Sequence, residues 1–204
     1  MAKAIPVSKL LELPKFDLRT MTIRLVGDTS LICHKWSKKA KQQMLDTHMK
    51  KPKQARAAKD PQQDFEDSLY PYPGGGYGFP VIAFKSAAVD ACSHVGGITK
   101  VEARGAFHIN GELVRVQGSD PTPREDMVRV GMGAADLRYR GEFLEWFVEI
   151  PIRYNAGVLS VEQIVHLFTI AGFAIGVGEL RPQKDGQNGL FHCEDVLYKE
   201  TPRS

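Results

Sequence analysis

The stretch from residue 160 to 198 constrains the fold of this chain more than any other. It opens with the capping box Ser160-Val-Glu-Gln163, and its apolar residues keep helical spacing as far as Ala171. Five glycines follow between residues 172 and 189. The pattern from 190 to 198 then favours a β-strand. The stretch is therefore predicted to be a helix, a glycine-rich loop and a strand.

The glycine-rich loop carries two cations, Arg181 and Lys184, and has two interpretations. Because glycine tolerates positive φ and lets another backbone approach closely, the loop suits contact with a phosphate chain. Alternatively, it is an ordinary helix exit followed by a flexible hairpin, since glycine is first of all a turn residue. A dinucleotide-binding turn is excluded because its glycines precede the helix, and the Gly-Lys-Ser/Thr ending of a P-loop is absent.

The segment from Lys35 to Lys59 is strongly basic. It holds nine basic residues and one acid, Asp46, a net charge of +8, whereas the whole chain carries +3 and the remainder therefore −5. A positive segment on a mildly acidic body favours a polyanion partner, because phosphate contacts by lysine and arginine release counterions. The alternative is a solvated helix face followed by a mobile loop. The candidate nucleic-acid-binding residues of this segment are Lys35, Trp36, Lys38, Lys39, Lys50, Lys51, Lys53 and Arg56.

Composition restricts the class of protein. The chain has 204 residues, 43% of them apolar and 25% charged, which is typical of one soluble globular domain. No apolar run approaches the roughly 20 residues that span a bilayer, and the N-terminal residues lack the apolar core of a signal peptide. We therefore expect a cytoplasmic protein without a membrane partner. Cys33, Cys92 and Cys193 lie far apart in apolar patterns typical of buried thiols, so we expect no zinc site and no cofactor.

The first half of the chain predicts a strand region, a helix and a long insertion. Residues 23 to 33 favour β-structure, and Ser37 is a good helix cap. Residues 52 to 78 become rich in proline and glycine, which favours a long exposed loop. We interpret residues 34 to 78 as a basic insertion between the first strand and the next helix. The aromatic residues that either pack against the body or stack on bases are Trp36, Tyr70, Tyr72 and Tyr77.

The second half of the chain predicts helices and strands in alternation. A helix begins at Pro80 and ends at Gly96-Gly97. Alternation from Val101 to His108, followed by an Asn110-Gly111 turn, predicts a hairpin, and residues 137 to 154 predict one long strand. The resulting order is βαββαβ with extra hairpins. It predicts an α+β, ferredoxin-like (RRM-like) fold, with two helices on one face of an antiparallel sheet and an open face where single-stranded nucleic acid commonly lies.

Three motifs resemble the repeat-associated mysterious protein (RAMP) superfamily, whose members are RNA-binding backbone subunits of CRISPR effectors. Pro80 followed by Lys85 and small residues is similar to the helix start of that superfamily. Arg124-Glu-Asp-Met-Val-Arg129 before a long strand, and then the helix leading into the glycine-rich loop, follow in the same order. The segment from Thr29 to Ser37 also resembles the first strand of phage-encoded proteins of this fold.

The resemblance implies one RAMP-like domain over residues 1 to 204, in which the insertion at 34 to 78 is a thumb-like loop. It implies sequence-nonspecific binding of single-stranded RNA or DNA by filament-like homo-oligomers, in a bacterial cell or a phage-infected host. Other effector or phage proteins are then expected partners. The site residues that the resemblance implies are Lys85 at a helix start, Arg124 and Arg129 beside a strand, and Arg181 with Lys184 in the glycine-rich loop.

Two other classes of function compete with this prediction. Some RAMP relatives cleave RNA with histidine as general acid or base, and His34, His108 and His192 lie at or near predicted strands. The sequence pairs none of them with a nucleophile, so we expect a protein that is not an enzyme. The third class is a structural or interaction protein, such as a phage assembly component or a mimic of a RAMP subunit.

Overall fold

The computed structural model describes residues 16–36, 38–51, 59–130 and 134–199. The strands are β1 (Leu18–Gly27), β2 (Leu31–Cys33), β3 (Tyr70–Pro71), β4 (Tyr77–Pro80), β5 (Phe107–Ile109), β6 (Leu113–Gly118), β7 (Thr122–Val130), β8 (Ala134–Phe143), β9 (Trp146–Asn155) and β10 (Phe191–Lys199). The α-helices are α1 (Lys38–His48), α2 (Pro61–Ser68), α3 (Val81–Ala91), α4 (Lys100–Ala106) and α5 (Val161–Ile170). A π-helical turn, Ala171–Ile175, extends α5.

The strands form two antiparallel sheets. The larger sheet has seven strands in the order β10-β1-β9-β6-β4-β3, with β5 also paired to β9. The smaller sheet has three strands in the order β2-β8-β7. The predicted mixed α+β architecture with antiparallel sheets is therefore confirmed. The ferredoxin-like βαββαβ arrangement is not confirmed as such, because the sheet that would carry it has seven strands and a second sheet accompanies it.

Helices α3 and α5 pack against each other and against one face of the larger sheet. This face is apolar because side chains alternate along each strand, so that buried Val148, Ile150 and Ile152 of β9 all point the same way. Phe84 of α3 and Phe168 of α5 are both 0% exposed and complete the layer between sheet and helices. The core of the protein lies in this layer.

The opposite face of the larger sheet is polar. Glu149 and Arg153 of β9 are exposed, between the buried residues that point to the core. Arg24 of β1 is half-buried, and its guanidinium lies 4.1 Å from the centre of the Phe147 ring and 2.9 Å from a carboxylate oxygen of Glu194. This face therefore presents both signs of charge to solvent.

The smaller sheet is stabilised by ion pairs. Arg124 lies 2.9 Å from Asp126 and 2.8 Å from Glu142, and Arg140 lies 3.2 Å from Asp126. Helix α2 packs on β8, where the Ser68 hydroxyl accepts a hydrogen bond of 2.8 Å from the backbone amide of β8. Leu31 and Phe143 of this sheet and Leu69 after α2 belong to the main apolar core, so burial also attaches the sheet and α2 to that core.

Two predictions about loops and helices were wrong. Residues 59–78 are not one exposed loop, because Asp60 caps α2 by accepting hydrogen bonds from the amides of Gln62 and Gln63, and β3 and β4 follow. Residues 52–58 of the predicted loop lie outside the described residues. The alternation after Val101 is not a strand but helix α4, because Thr99 and Glu102 form a capping box there.

Two predictions about strands were also wrong. The Asn110-Gly111 turn does not close a hairpin, because β5 and β6 each pair with β9, at its two ends. Residues 137 to 154 are two strands, since the chain turns at Leu144-Glu145 and passes from the smaller sheet to the larger one. The helix from Pro80 also ends earlier than predicted, at Ala91, and a 3₁₀ turn follows it.

Candidate nucleic-acid interface

A groove of about 360 Å³ lies between helix α3 and the glycine-rich loop. Helix α3 and the loop supply most of its walls, and His34 after β2, Tyr70 of β3 and Phe79 with Pro80 of β4 complete them. Its polar and aromatic lining residues include His34, Tyr70, Ser86, Glu179, Arg181 and Gln183. The groove is therefore the place where the glycine-rich loop meets the base of the basic segment.

The backbone of the glycine-rich loop is bound to strand β2. The Glu179 amide donates to the Ile32 carbonyl over 3.0 Å, and the Gly189 amide donates to the Ser30 carbonyl over 2.8 Å. Gly178 has a φ of +82°, and a Cβ there would lie 2.7 Å from the Ile32 carbonyl oxygen. At this position glycine is needed because the loop backbone lies close to β2, which belongs to the protein itself.

Arg181 lines the groove and is oriented by the loop. Its Nη1 donates to the Gly178 carbonyl over 2.9 Å, and its Nη2 donates to Gln183 Oε1 over 3.2 Å. These acceptors are neutral, but the Arg181 charge also acts on the nearby Glu179 carboxylate and helps to lower its pKa. Lys184 is exposed in the 3₁₀ turn that follows. The predicted loop cations thus lie on a short, backbone-anchored segment.

Besides Asp90, the acid Glu179 lines the groove. Its carboxylate oxygen Oε1 lies 3.2 Å from His34 Nδ1, and its Oε2 lies 3.8 Å from Arg140 Nη2. The hydrogen bond with His34 is the main reason that the pKa of Glu179 is lowered, and the charges of Arg140, His34 and Arg181 add to it. The carboxylate is therefore ionised and offset by cations on several sides.

Lys35 places the first charge of the basic segment beside the groove. Its amide donates to the Ser68 carbonyl over 2.9 Å, which holds the chain after β2 against the end of α2. Its Nζ lies 6.0 Å from the centre of the Tyr70 ring, and that ring lines the groove. Burial is the largest cause of the raised pKa of Tyr70. Trp36 follows and is 56% exposed.

The rest of the basic segment lies on and after helix α1. Lys38 and Lys39 form the first turn of α1, and Lys50 and Lys51 follow its end and are exposed. Lys51 pairs with Asp46 at 2.9 Å. Lys53 and Arg56 lie outside the described residues.

The other predicted binding residues do not lie at the groove. Lys85 does not line it, and its Nζ contacts the Arg104 carbonyl and His108 instead. Arg124 is held in the ion pairs of the smaller sheet, and Arg129 is exposed further along β7. The structure therefore places Arg181 in the groove and Lys35 beside the Tyr70 ring that lines it, and it leaves these three residues elsewhere.

Several residues at or beside the groove were not predicted from the sequence. Glu179 had a readable signal, since it lies within the glycine-rich loop two residues before Arg181. Gln183 also follows in the same loop and donates to Asp90 of α3 over 2.9 Å. Arg140 had no such signal, because only the pairing of β8 with β2 brings it near Glu179.

Comparisons with known proteins add no relative. A scan against models of protein families found no match, and a search of curated proteins found none either. The resemblance to the RAMP superfamily therefore stays a prediction. Among the described residues, no helix is long and apolar enough to cross a membrane. The described ranges also contain no group of three or more His, Cys, Asp or Glu side chains placed to hold a metal ion.

Proposed function

We propose that this protein binds single-stranded RNA or DNA without sequence preference, and that its copies assemble along the strand. One observation carries the proposal: Tyr70 and Arg181 line one groove, and Lys35 lies against the Tyr70 ring, although the three residues come from separate segments. Cations beside an aromatic ring are the combination that proteins use to hold single strands, because the cations follow the phosphates while a base stacks on the ring.

The exposed arm formed by α1 supports the assembly part of the proposal. Its apolar residues Met44, Leu45 and Met49 are 45%, 52% and 58% exposed, so the helix does not bury this face against the body. The same arm carries exposed Lys50 and Lys51. A cationic arm that stands away from its own body can cross a bound strand and reach the neighbouring copy.

The strand order supports a RAMP-like domain with a ferredoxin-like core. Strands β10, β1, β9 and β6 are neighbours in that order, and α3 and α5 connect β1 and β9 to later strands. This connectivity fits a βαββαβ core with additions at its edge. In this proposal the domain covers residues 1 to 204, and residues 34 to 78 form its thumb-like insertion.

The test is the salt dependence of binding to fluorescein-labelled oligo(dT) and oligo(U), measured by anisotropy. We expect affinity to fall steeply as salt rises. The variant with both Lys35→Ala and Arg181→Ala should make the negative slope of log K against log salt shallower by about 1.4, at about 0.7 per lost phosphate contact. The control is Arg19→Ala, which removes the same type of charge from an arginine already paired with Asp17 at 2.7 Å.

Several outcomes would contradict the proposal. Absence of binding to both oligonucleotides at low salt would overturn it, and an equal slope for the double variant and the control would overturn the groove as the site. Size measurements with and without oligonucleotide test the assembly. Oligomers that form without nucleic acid and do not depend on Lys50 and Lys51 would favour a structural or interaction protein.

Cleavage of RNA is a second candidate, and one observation favours it. His34 Nδ1 is hydrogen-bonded to Glu179 within the groove, an arrangement that orients an imidazole for general acid–base chemistry. The other two histidines considered as catalytic candidates have different partners. His108 contacts Lys85, and His192 contacts Asp28. Product analysis on labelled RNA is the test. Cleavage that His34→Ala abolishes while folding and binding persist would establish it, and intact RNA would exclude it.

A further inference from the structure

A second group of cations lies at strand β5, away from the groove. The Lys85 ammonium donates to His108 Nδ1 over 3.1 Å and to the Arg104 carbonyl over 3.1 Å. Its Nζ also lies 5.8 Å from the centre of the Phe107 ring. Lys85 therefore reaches from α3 around the edge of β5 to a histidine on that strand.

Arg153 is the third member of this group. It stands directly opposite His108 in the β5–β9 pair, where neighbouring Cβ atoms lie about 5 Å apart. Phe107 is fully buried towards α5, so His108, the next residue, points to the opposite face of the sheet. Both His108 and Arg153 are exposed there.

The acids of the neighbouring elements are engaged elsewhere. On α3, Asp90 pairs with Lys100 at 2.8 Å, and on α4 the carboxylate of Glu102 accepts a hydrogen bond from the Thr99 hydroxyl over 2.7 Å. On β9, Glu149 is four residues from Arg153, a distance of about 13 Å along a strand. Arg104 of α4 is exposed, and its charge acts on Asp90.

The cations of this group oppose one another's charge. The pKa of His108 is lowered, first by desolvation and then by the charges of Lys85 and Arg153. Desolvation also lowers the pKa of Lys85. At a pH above this lowered pKa, His108 of the free protein is neutral and accepts the hydrogen bond from Lys85. An anion placed among the three side chains would offset the repulsion between the charges of Lys85 and Arg153.

We propose that Lys85, His108 and Arg153 together bind a phosphate group. The inference rests on the proposed function in one respect: the phosphate is then a phosphodiester of the bound strand, at a point outside the groove. The groove is lined by Ile82, Ser86 and other residues on one side of α3, and Lys85 projects from a different side of the same helix. A strand held at both places would pass from one side of a helix about 10 Å wide to the other.

Binding of a phosphate at this site is coupled to proton uptake. The anion favours the charged imidazolium, so the pKa of His108 rises when phosphate binds. Affinity should therefore increase as pH falls through the range in which free His108 is neutral. Lysine and arginine keep their charge across this range, so such a dependence reports a histidine, and the His108→Gln variant separates His108 from His34 of the groove.

The first experiment measures the site without nucleic acid. Histidine ring resonances are followed by NMR as a function of pH, with and without inorganic phosphate. We expect phosphate to raise the pKa of His108 and to leave exposed His166 of α5 unchanged. Arg153→Gln, a substitution at an exposed position, should abolish the phosphate effect. An unchanged His108 pKa in the presence of phosphate overturns the proposal.

The second experiment compares oligo(dT) affinity between pH 8 and pH 6, the range around the ordinary histidine pKa of about 6.5. Wild-type protein should bind several-fold more tightly at the lower pH, His108→Gln should lose this gain, and the matched control His166→Gln should keep it. If His108→Gln keeps the gain, the strand does not use this site. If neither the wild-type protein nor any variant binds the oligonucleotide, but phosphate still raises the His108 pKa, the proposed function fails while the phosphate site stands.

Discussion

The two sheets of this protein are held together by different forces. The larger sheet depends on apolar burial, and Ile23 of β1 and Ile150 of β9 are 0% exposed. The smaller sheet shares this burial at Leu31 and Phe143, but its β7–β8 part is linked by charge, since Arg140 is only 5% exposed and reaches Asp126 at 3.2 Å. Burial of an ion pair costs desolvation and is repaid only while both partners are present. The β7–β8 part of the small sheet is therefore sensitive to the loss of one charge.

This difference also separates the cations that are available to a ligand from those that are not. Arg124 has two carboxylate partners in the smaller sheet, so a nucleic acid would have to compete with them. Arg181 is bonded to neutral acceptors, and Lys35 lies beside a tyrosine ring. Among the predicted binding residues, the last two can meet a phosphate without breaking an ion pair.

The largest expected effect is on the apolar sheet. Ile150→Ala should lower the free energy of unfolding by about 4 kcal/mol, because it removes buried methyl groups and leaves a cavity. The measurement is urea unfolding followed by circular dichroism. The control, Met127→Ala in the smaller sheet, removes a side chain that is 75% exposed and should change stability by less than about 0.5 kcal/mol. Equal losses in the two variants would contradict the comparison.

A loss of about 3 kcal/mol is expected for Asp126→Ala in the smaller sheet, because buried Arg140 then keeps only the Glu179 carboxylate, 3.8 Å away, as a counter-ion. Adding Arg140→Met removes the buried guanidinium charge. The double variant should therefore recover part of the lost free energy of unfolding in the same urea experiment. If the double variant is less stable than Asp126→Ala alone, the buried charge was not the cause.

A smaller, pH-dependent effect is expected where the smaller sheet meets the groove. The folded-state pKa of Glu179 is lowered, so its ionised form stabilises the fold above its unfolded pKa of about 4.3, and this contribution is lost as pH falls through the folded-state pKa. Glu179→Gln should therefore flatten the decline of stability on acidification. Glu145→Gln, at an exposed acid in the β8–β9 turn, is the control and should keep the wild-type decline.

The smallest effect is expected in the arm, where an ion pair is exposed. Lys51 and Asp46 are 50% and 31% exposed in their side chains, and such pairs contribute little because solvent screens them. Asp46→Ala should leave the urea midpoint almost unchanged. A shift as large as that of Asp126→Ala would show that charge, rather than burial, decides the cost.

Local signals predicted many elements correctly. The capping box at Ser160 began α5, and the apolar face after Pro80 marked α3. Two further signals of the same kind were present but unused, since Asp60-Pro61 begins α2 and Thr99 with Glu102 begins α4. These helix starts are readable because each depends on residues three or four positions apart.

Strand pairing was much less predictable. The alternation from residue 137 to 154 continues across the turn at Leu144-Glu145, which has neither proline nor glycine, so nothing local announces the change of sheet. The Asn110-Gly111 turn had the local signal of a hairpin, yet β9 paired with both flanking strands. A strand offers the same hydrogen bonds to any neighbour, and tertiary packing selects which one it meets.

The sequence alone indicates where positive charge is concentrated and where a capped helix such as α5 begins, because charge and capping depend on residues close together in the chain. Folding determines which of these charged side chains lie in ion pairs. His34 and Glu179 are 145 positions apart in the chain, and the backbone bonds between β2 and the glycine-rich loop bring them together. Arg124 and Arg181 look alike in sequence, but only the contacts made on folding pair one with acids and leave the other facing a groove.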